Sequence, residues 1–588
     1  MIVKMKRVIL ITQEKDANYL LERIRRLGLL HIEHLTLPKG ERLDYLNSQI
    51  ALLKQAVSLL ESECNKGIAI SLKETKESLA SLARHVIDLH KRYLQLKEYS
   101  LSLALKIESI KEWGDFEPKE MERLKDKGII ARLYKLSDEQ IKALPKGAYL
   151  EKLSRQGKIN NCLVLAQAET DIPFKHIEYP KGSLSKMQAR LSENNRALEK
   201  IREEFLKYTA YLNAFRGALK ELIKESEFFE ALLGMPQEGG ISYIKGYVPF
   251  DAVDILKKVS KEEGWGFLIT DPSEEDNVPT LVRNPKWVSI IEPVFKMIEV
   301  VPGYRELDIS LWFLIFFSIF FGILIGDAGY GGVYLLITLL AQKRLKGKFK
   351  DGSIFILLYL LSGCAIAWGA LTATFFGQEW LPLWVKPVLP ALRNDRNMQT
   401  FCFFLGALHL SIAHCWRAII KFPALAFLSD IGWSLILWTV FFIARTLVLG
   451  ASLPGFYLAL LIPGVILVVF FSNPQKNILK SFGGGLGALL LNIMNNFTDV
   501  ISYIRLFAVG LATLAVADAF NNMAIGIGFN SLFSGVLTSL ILFVGHALNI
   551  ILGPLSILVH GVRLNVLEFC SHLDIKWSGF NYKPFTEK

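Results

Sequence analysis

The sequence predicts an α-helical polytopic membrane protein with an N-terminal cytoplasmic α+β region, whose two lobes are joined by a long antiparallel coiled-coil hairpin. Three observations predict it. Residues 1–300 carry 48 Lys and Arg with 44 Asp and Glu, whereas residues 301–588 carry 19 with 12. Apolar stretches of membrane-spanning length recur after Asp308, and two stretches of the first half repeat apolar residues in steps of three and four. At 51% hydrophobic and 21% charged, the 588-residue chain is too apolar for disorder, and its uneven charge argues against a single soluble domain.

The start reads as strand, helix, strand. Arg7–Thr12 is a β-branched run, Tyr19, Leu20, Leu21, Ile24 and Leu27 have helical spacing, and Leu30–Leu35 alternates. Leu46, Ile50, Leu53, Val57 and Leu60 then step by 4, 3, 4, 3, and helix formers continue to Ile110. A matching stretch runs Leu184, Met187, Leu191, Asn194, Leu198, Ile201, Phe205, Tyr208, Leu212, Phe215. That 3.5-residue period is the seam of paired helices, with Asn194 as a polar register position. A helix of about 70 residues would extend about 100 Å. Two ordinary long helices in a bundle are the alternative. Ile241–Val248 alternates, Val253, Leu256 and Val259 are helical, and Trp265–Thr270 is again strand-like. The expected domains are therefore a cytoplasmic part, 1–300, and a membrane part, 301–588. The first holds a proximal lobe (1–38 plus 236–285), the hairpin (40–113 and 182–235) and a distal lobe (115–180).

Eight apolar stretches follow: 308–326, 329–342, 354–377, 399–422, 427–449, 454–473, 482–523 and 531–573. Several match the roughly 20 residues that cross a bilayer, and an even number returns the C-terminus to the side of the N-terminus. The last two are about twice an upright span, so they are expected to be tilted or broken, with Gly483–Gly484–Gly485 and Pro554 as the break points.

Charge and cysteine usage exclude other classes. The net charge of +11 includes Lys343, Arg344, Lys346, Lys348 and Lys350 beside a membrane stretch, a cytoplasmic-loop pattern rather than a nucleic-acid signature. The N-terminal Met1–Arg7 lacks the apolar stretch of a secretory signal, so the charged half is expected to stay in the cytoplasm, as are Lys576, Lys583 and Lys588 at the far end. Cys64, Cys162, Cys364, Cys402, Cys415 and Cys570 are scattered without metal or disulfide spacing. His409 and His414 make no convincing metal pair, and no phosphate-binding G-x-x-x-x-G-K-[ST] run is present. Neither cofactor nor metal is expected.

Ionisable residues in lipid cost about 2.5–3.5 kcal/mol or more unless paired or wetted, and here they concentrate in the last two stretches. Asn495, Asn496 and Asp499 lead up to Arg505, and His546, Asn549, His560, Arg563 and Glu568 share the final one. Arginine is a poor proton carrier but a permanent cation. If the seventh stretch leaves the cytoplasm and the eighth returns, Asn495, Asp499 and Glu568 lie on the inner side of the arginines. Asp518, His546, Asn549 and His560 then lie outside them. Two offset polar half-paths separated by fixed cations would suit ion transport. A structural ion pair of Arg505 with Asp499 or Glu568 is the plainer reading, and polar stripes also hold helices together. Asp327 reads as the cap of a bend.

These residues resemble the membrane a subunit (subunit I) of the V/A-type rotary ATPases. The resemblance rests on Phe320–Gly331, Trp368–Gly–Ala–Leu–Thr with Phe376–Gly377, Ser502–Tyr–Ile–Arg–Leu506, Gly545–His–Ala–Leu–Asn549, His560–Gly–Val–Arg–Leu564 and Glu568. It implies a stator in the cell membrane of a prokaryote, not an enzyme by itself, whose tilted helices face a proteolipid (c/K) ring. Arg505 would be the essential arginine and Arg563 the second. His560, Asp499, Asn495 and Glu568 would line ion translocation, with His546, Asn549 and Asp518 on the outer path. Other implied partners are peripheral-stalk subunits of E/G type, the central-stalk C/d subunit and membrane lipids, with no nucleic acid. Leu491, Gly553 and Thr513 stand where some relatives carry acidic or histidine groups, so the outer path would use other residues, such as His546 or Asp518. A secondary ion transporter or channel with a cytoplasmic regulatory domain is the competing reading, and a coil-bearing membrane scaffold is a third.

Overall fold

Helical and strand periods sort the first 300 residues into alternating elements in the computed structural model, which describes all residues except 65–77, 116, 146, 168–171, 178–181, 346–351, 378–386, 475–477 and 588. Lys346, Lys348, Lys350 and Lys588 thus lie outside the described residues. The chain opens with β1 (Met5–Gln13), α1 (Ala17–Leu27) and β2 (His31–Glu33), followed by α2 (Glu41–Cys64), α3 (Leu79–Ile110) and α4 (Pro118–Asp126). Next come β3 (Ile129–Ser137), α5 (Asp138–Lys142), β4 (Tyr149–Gln156) and β5 (Ile159–Gln167), then α6 (Leu184–Lys207) and α7 (Leu212–Leu233). β6 (Gln237–Glu238), β7 (Ile241–Pro249), α8 (Val253–Glu262), β8 (Gly266–Thr270) and α9 (Glu292–Ile298) complete this part. One sheet has the order β2-β7-β1-β8 with β6 beside β7, so strands far apart in sequence share it; the other is antiparallel, β3-β5-β4.

Two compact units emerge. One comprises Ile11–Arg26, His34–Ile244 and Glu587–Lys588. In it α2 packs along α7 and α3 along α6. The first apolar series is buried throughout: Leu46, Ile50, Leu53, Val57 and Leu60. Leu53, Val57 and Leu60 share a core with Leu82, Val86 and Leu89 of α3 and with Phe205, Leu212 and Phe215. The helix expected to run about 70 residues is therefore two helices, because α3 packs beside α2 as well as beside α6. The second arm also changes winding, with a 3₁₀ turn at Tyr208–Tyr211 between α6 and α7. The antiparallel sheet has its own core around Tyr134, Leu136, Cys162 and Val164.

The other unit comprises Met1–Leu10, Leu27–Glu33 and Lys245–Thr586. Its strands carry an electrostatic knot. Arg7 Nη1 lies 3.0 Å from Asp276 Oδ2, Lys245 Nζ lies 3.4 Å from Oδ1, and the Ser273 amide donates to Oδ2 at 2.7 Å. Desolvation opposes ionisation of Asp276, but the Ser273 and Lys245 hydrogen bonds outweigh it and hold the carboxyl at about 2. That is below the roughly 3.9 of a free aspartate, so Asp276 contributes stability above about pH 4 that is lost as pH falls towards 2. Thermal unfolding of the full chain in detergent should show a fall over this window that Asp276→Asn reduces. The C-terminal tail packs in the same unit. Phe585 N donates to Leu30 O at 2.8 Å, Asn581 bridges Thr280 in parallel, and Tyr582 joins a core of Met5, Tyr247 and Val278.

The membrane half contains α10 (Ser310–Ile325), α11 (Ala328–Leu345), α12 (Ser353–Thr372), α13 (Asp395–Lys421), α14 (Phe427–Leu449), α15 (Tyr457–Phe471), α16 (Ile478–Ser502), α17 (Ile504–Ile527) and α18 (Leu532–Ser556). Each of the eight apolar stretches is helical. Among the described residues, five helices are long and apolar enough to cross a membrane: α12, α13, α14, a run over 482–527 and a run over 532–572. The pair α10 and α11 is bent by 119°, and α15 has only 15 residues. At the bend Gly326 takes φ +65, a left-handed conformation that costs glycine little. Asp327 Oδ1 accepts from Tyr330 N at 3.0 Å and Oδ2 from Gly377 N at 2.9 Å, so this carboxylate caps α11 and ties it to the chain after α12.

The long stretches break elsewhere than at the triple glycine. α16 runs through Gly483–Gly485, where a Cβ on Gly485 would collide with Val469 O: this one glycine permits close packing on α15. The interruption falls at Tyr503, between α16 and α17. Pro554 lies inside α18, where it cannot donate to Ile550 O; Tyr334 supplies that bond instead, its hydroxyl donating at 3.0 Å. Beyond it the helix winds into π turns at Ile557–Gly561 and Leu564–Phe569 before Cys570–His572.

Candidate functional site

The side chains most costly to desolvate meet where α16 and α17 join, opposite the π-wound end of the last helix. Arg505 lies in the first turn of α17, and its Nε donates to Ser502 O at 3.1 Å, which fixes the guanidinium across the break at Tyr503. Its Nη2 donates to Glu568 Oε1 at 2.6 Å. Glu568 is 5% exposed and Arg505 23%, so the pair is largely removed from water while one side of the guanidinium stays open. Arg563 Nε lies 3.6 Å from the same Oε1, and Ser502 Oγ donates to it at 3.3 Å. Two cations thus converge on one carboxylate oxygen, while the buried Oε2 has no hydrogen-bond partner among the described residues. Arg563 is 55% exposed, and the half-buried His560 leaves Nδ1 without a hydrogen-bond partner among the described residues.

The π turns explain this meeting. In an α-helix, residues five apart point about 140° away from each other. An i→i+5 winding stacks them, which brings Arg563 over Glu568. Spacing alone gives these residues different depths and no contact.

The other residues singled out in the sequence divide into two groups. Asp499 Oδ2 stands 3.1 Å from His572 Nε2, and Asn495 is exposed. Neither joins the arginine pair directly. In the other group, His546 Nδ1 lies 2.9 Å from Tyr330 Oη, and Asn549 Nδ2 donates to Tyr330 Oη and to Thr513 O, each at 3.0 Å. Tyr330, Thr513 and the exposed Asp518 line a cavity of about 720 Å³ together with Arg393 and Asp395. Tyr330 is therefore the link that sequence reasoning missed: its Gly–Tyr–Gly setting marks a family pattern and gives no sign of the partners. His572 escapes such reasoning as well, and His414 stands out in the sequence only as half of an unconvincing metal pair. No short motif joins these two histidines, whose contact spans 158 residues. Among the described residues no group of three or more His, Cys, Asp or Glu is arranged to hold a metal ion.

Several apolar helices of spanning length, with an arginine–glutamate pair joining the two longest helical runs, are the make-up of a polytopic membrane protein. Comparison with known proteins gives the family: the chain belongs to the subunit I family of V-type and A-type ATP synthases. It is 32% identical over 612 residues to the V-type ATP synthase subunit I of Borreliella burgdorferi, covering 100% of this chain and 99% of that one. It is 30% identical over 630 residues to V-type ATP synthase subunit I 1 of Treponema pallidum, with 100% of both covered. The A-type ATP synthase subunit I of Methanocaldococcus jannaschii is 26% identical over 454 residues, 69% of this chain and 64% of that one. No family model matches the chain.

Proposed function

We propose that this membrane subunit is the stator that carries the ion path of a V/A-type rotary ATPase, with Arg505 as the fixed cation past which a proteolipid ring turns. The observation that carries the reading is the Arg505–Glu568 contact of 2.6 Å, set between the two longest helical runs with Arg563 beside it. A ring carboxylate that reaches the open side of Arg505 is favoured in its ionised form, since an opposite charge within about 4–6 Å stabilises the anion, and it gives up its H⁺ or Na⁺ there. The same cations oppose leakage between the two half-paths. The inner half-path runs by Asn495, Asp499 and Glu568. The outer one runs by His560, His546, Asn549 and Asp518, for which the 720 Å³ cavity beside Tyr330 is a suitable mouth.

In this reading the chain crosses a prokaryotic cell membrane about eight times with both ends in the cytoplasm. The packing of the C-terminal tail against strands near the N-terminus supports an even number of crossings. The cytoplasmic region then consists of the proximal and distal lobes and the hairpin between them. The hairpin transmits torque to peripheral-stalk subunits of E/G type at the lobes, and a central-stalk C/d subunit also meets this region. Purification from its own membranes through a tag on this chain should bring down a proteolipid ring, and deleting 115–180 should release the stalk subunits. A chain that purifies alone, or a deletion that leaves the complex intact, overturns the corresponding part.

A further inference from the structure

A second charged chain, separate from the arginine pair, runs through the helices behind it. On α13, His414, Arg417 and Lys421 share a face; Asp430 lies in the first turn of α14, and His572 ends the final helix. Asp430 is 2% exposed, and its Oδ1 lies 3.3 Å from both His414 Nδ1 and Arg417 Nε. Lys421 Nζ lies 2.7 Å from Oδ2 as an ion pair without hydrogen-bond geometry. His414 Nε2 meets His572 Nδ1 at 2.8 Å, and His572 Nε2 meets Asp499 Oδ2 at 3.1 Å. Both imidazoles are 5% exposed or less, while Asp499 is 22% exposed.

The proton count follows from the donors. Beside two cations Asp430 is a carboxylate and only accepts, so His414 Nδ1 must donate to it. A neutral imidazole has one N–H, so His414 Nε2 accepts and His572 Nδ1 donates. His572 Nε2 then turns a lone pair towards Asp499 Oδ2, and a hydrogen bond forms there only if one further proton is present. Around this pair stand Arg417, whose Nη1 donates to His572 O at 2.8 Å, and its partners Asp430 and Asp574; Ser502, within hydrogen-bond reach of both Asp499 O and Glu568 Oε1, links the pair to Glu568 and Arg505.

We propose that Asp499 and His572 form a one-proton site on the inner half-path, oriented by the Asp430–His414 chain, and that the ion taken up on this side is H⁺. The inference rests on the stator reading above. In loading, an O–H bond of hydronium breaks and a bond forms to His572 Nε2 or Asp499 Oδ2. In unloading, that bond breaks and an O–H bond forms on a ring carboxylate; one proton moves, and no electrons are exchanged. A hard cation would need several oxygen ligands, whereas this gap joins one nitrogen and one oxygen at hydrogen-bond length.

The test uses the whole complex in sealed membrane vesicles and reads ATP-driven acidification, with radioactive Na⁺ uptake in parallel. Two variants are informative. His572→Gln cannot take up a proton, and Asp499→Asn keeps a hydrogen bond to Nε2 because its amide N–H can donate to the lone pair. Each should lower acidification at least about tenfold and flatten its pH profile, with Asp499→Glu restoring both. Wild-type vesicles should accumulate no Na⁺. Should assembled Asp499→Asn complexes acidify at the wild-type rate with the wild-type profile while Arg505→Ala is silent, the proton site is wrong and the stator reading survives. Na⁺ accumulation by the wild type also overturns it. If Arg505→Ala itself acidifies normally, the stator reading falls and takes this site with it.

Discussion

Arg505→Ala is expected to abolish ion transport coupled to ATP turnover while the complex still assembles, to be measured as vesicle acidification or Na⁺ uptake beside recovery of the complex. The physical reason is that no other donor among the described residues is placed to do the same work. Arg563 sits 3.6 Å from Glu568 but is more than half exposed, and Ser502 is uncharged. The variant also leaves buried Glu568 with only the half-exposed Arg563 at 3.6 Å. Removing one partner of a buried ion pair costs up to about 3–5 kcal/mol where the remaining charge is uncompensated, and Arg563 offsets part of that here. Arg505→Ala should therefore melt earlier than the wild type, and adding Glu568→Gln should recover much of that loss without restoring transport. Stability and transport part company in the double variant. If it transports ions, Arg505 serves only to neutralise Glu568 and the gate assignment fails.

Gly369→Val is expected to prevent the membrane half from folding. A Cβ at this position would collide with Ala328 N and lie 2.6 Å from Asp327 C, against backbone on both counts. The neighbouring bonds allow no retreat: Ala328 N donates to Thr374 O at 3.0 Å, and Thr374 Oγ1 donates to Gly326 O at 2.5 Å. Overpacking a core ordinarily costs about 1–3 kcal/mol, and a collision with fixed backbone belongs at or beyond the top of that range. The expected result is little or no full-length protein in detergent extracts, with Gly369→Ala less severe but still destabilised. A Gly369→Val chain that accumulates and melts like the wild type would mean that the bend between α10 and α11 is not held by this contact.

Much of the fold is legible along the chain because burial imposes a period. Leu46, Ile50, Leu53, Val57 and Leu60 read as one face from their spacing alone, and all five are buried. The Gly–Asp pair at 326–327 likewise announces a capped bend, since few other residues supply left-handed backbone followed by a cap. What fails is the reading of interruptions. Three successive glycines look like a hinge, yet the helix runs through them and one, Gly485, serves close approach to α15; the real interruption falls at Tyr503, whose hydroxyl is 2.8 Å from His409 Nδ1. A glycine's local freedom is visible in sequence; the neighbour that uses its missing side chain is not.

By itself the sequence determined which residues would be expensive in lipid: Arg505, Arg563, Glu568, Asp499 and the histidines stand out because their surroundings are apolar, and desolvation cost depends on residue type and setting. Only the tertiary structure decided how that cost is met. The π winding that stacks Arg563 over Glu568, the Tyr330 hydroxyl between His546 and Asn549, and the His414–His572 contact join residues on separate turns or separate helices. Hydrogen bonds form over about 3 Å whatever the separation along the chain, so their partners are fixed by packing and leave no period or motif to read.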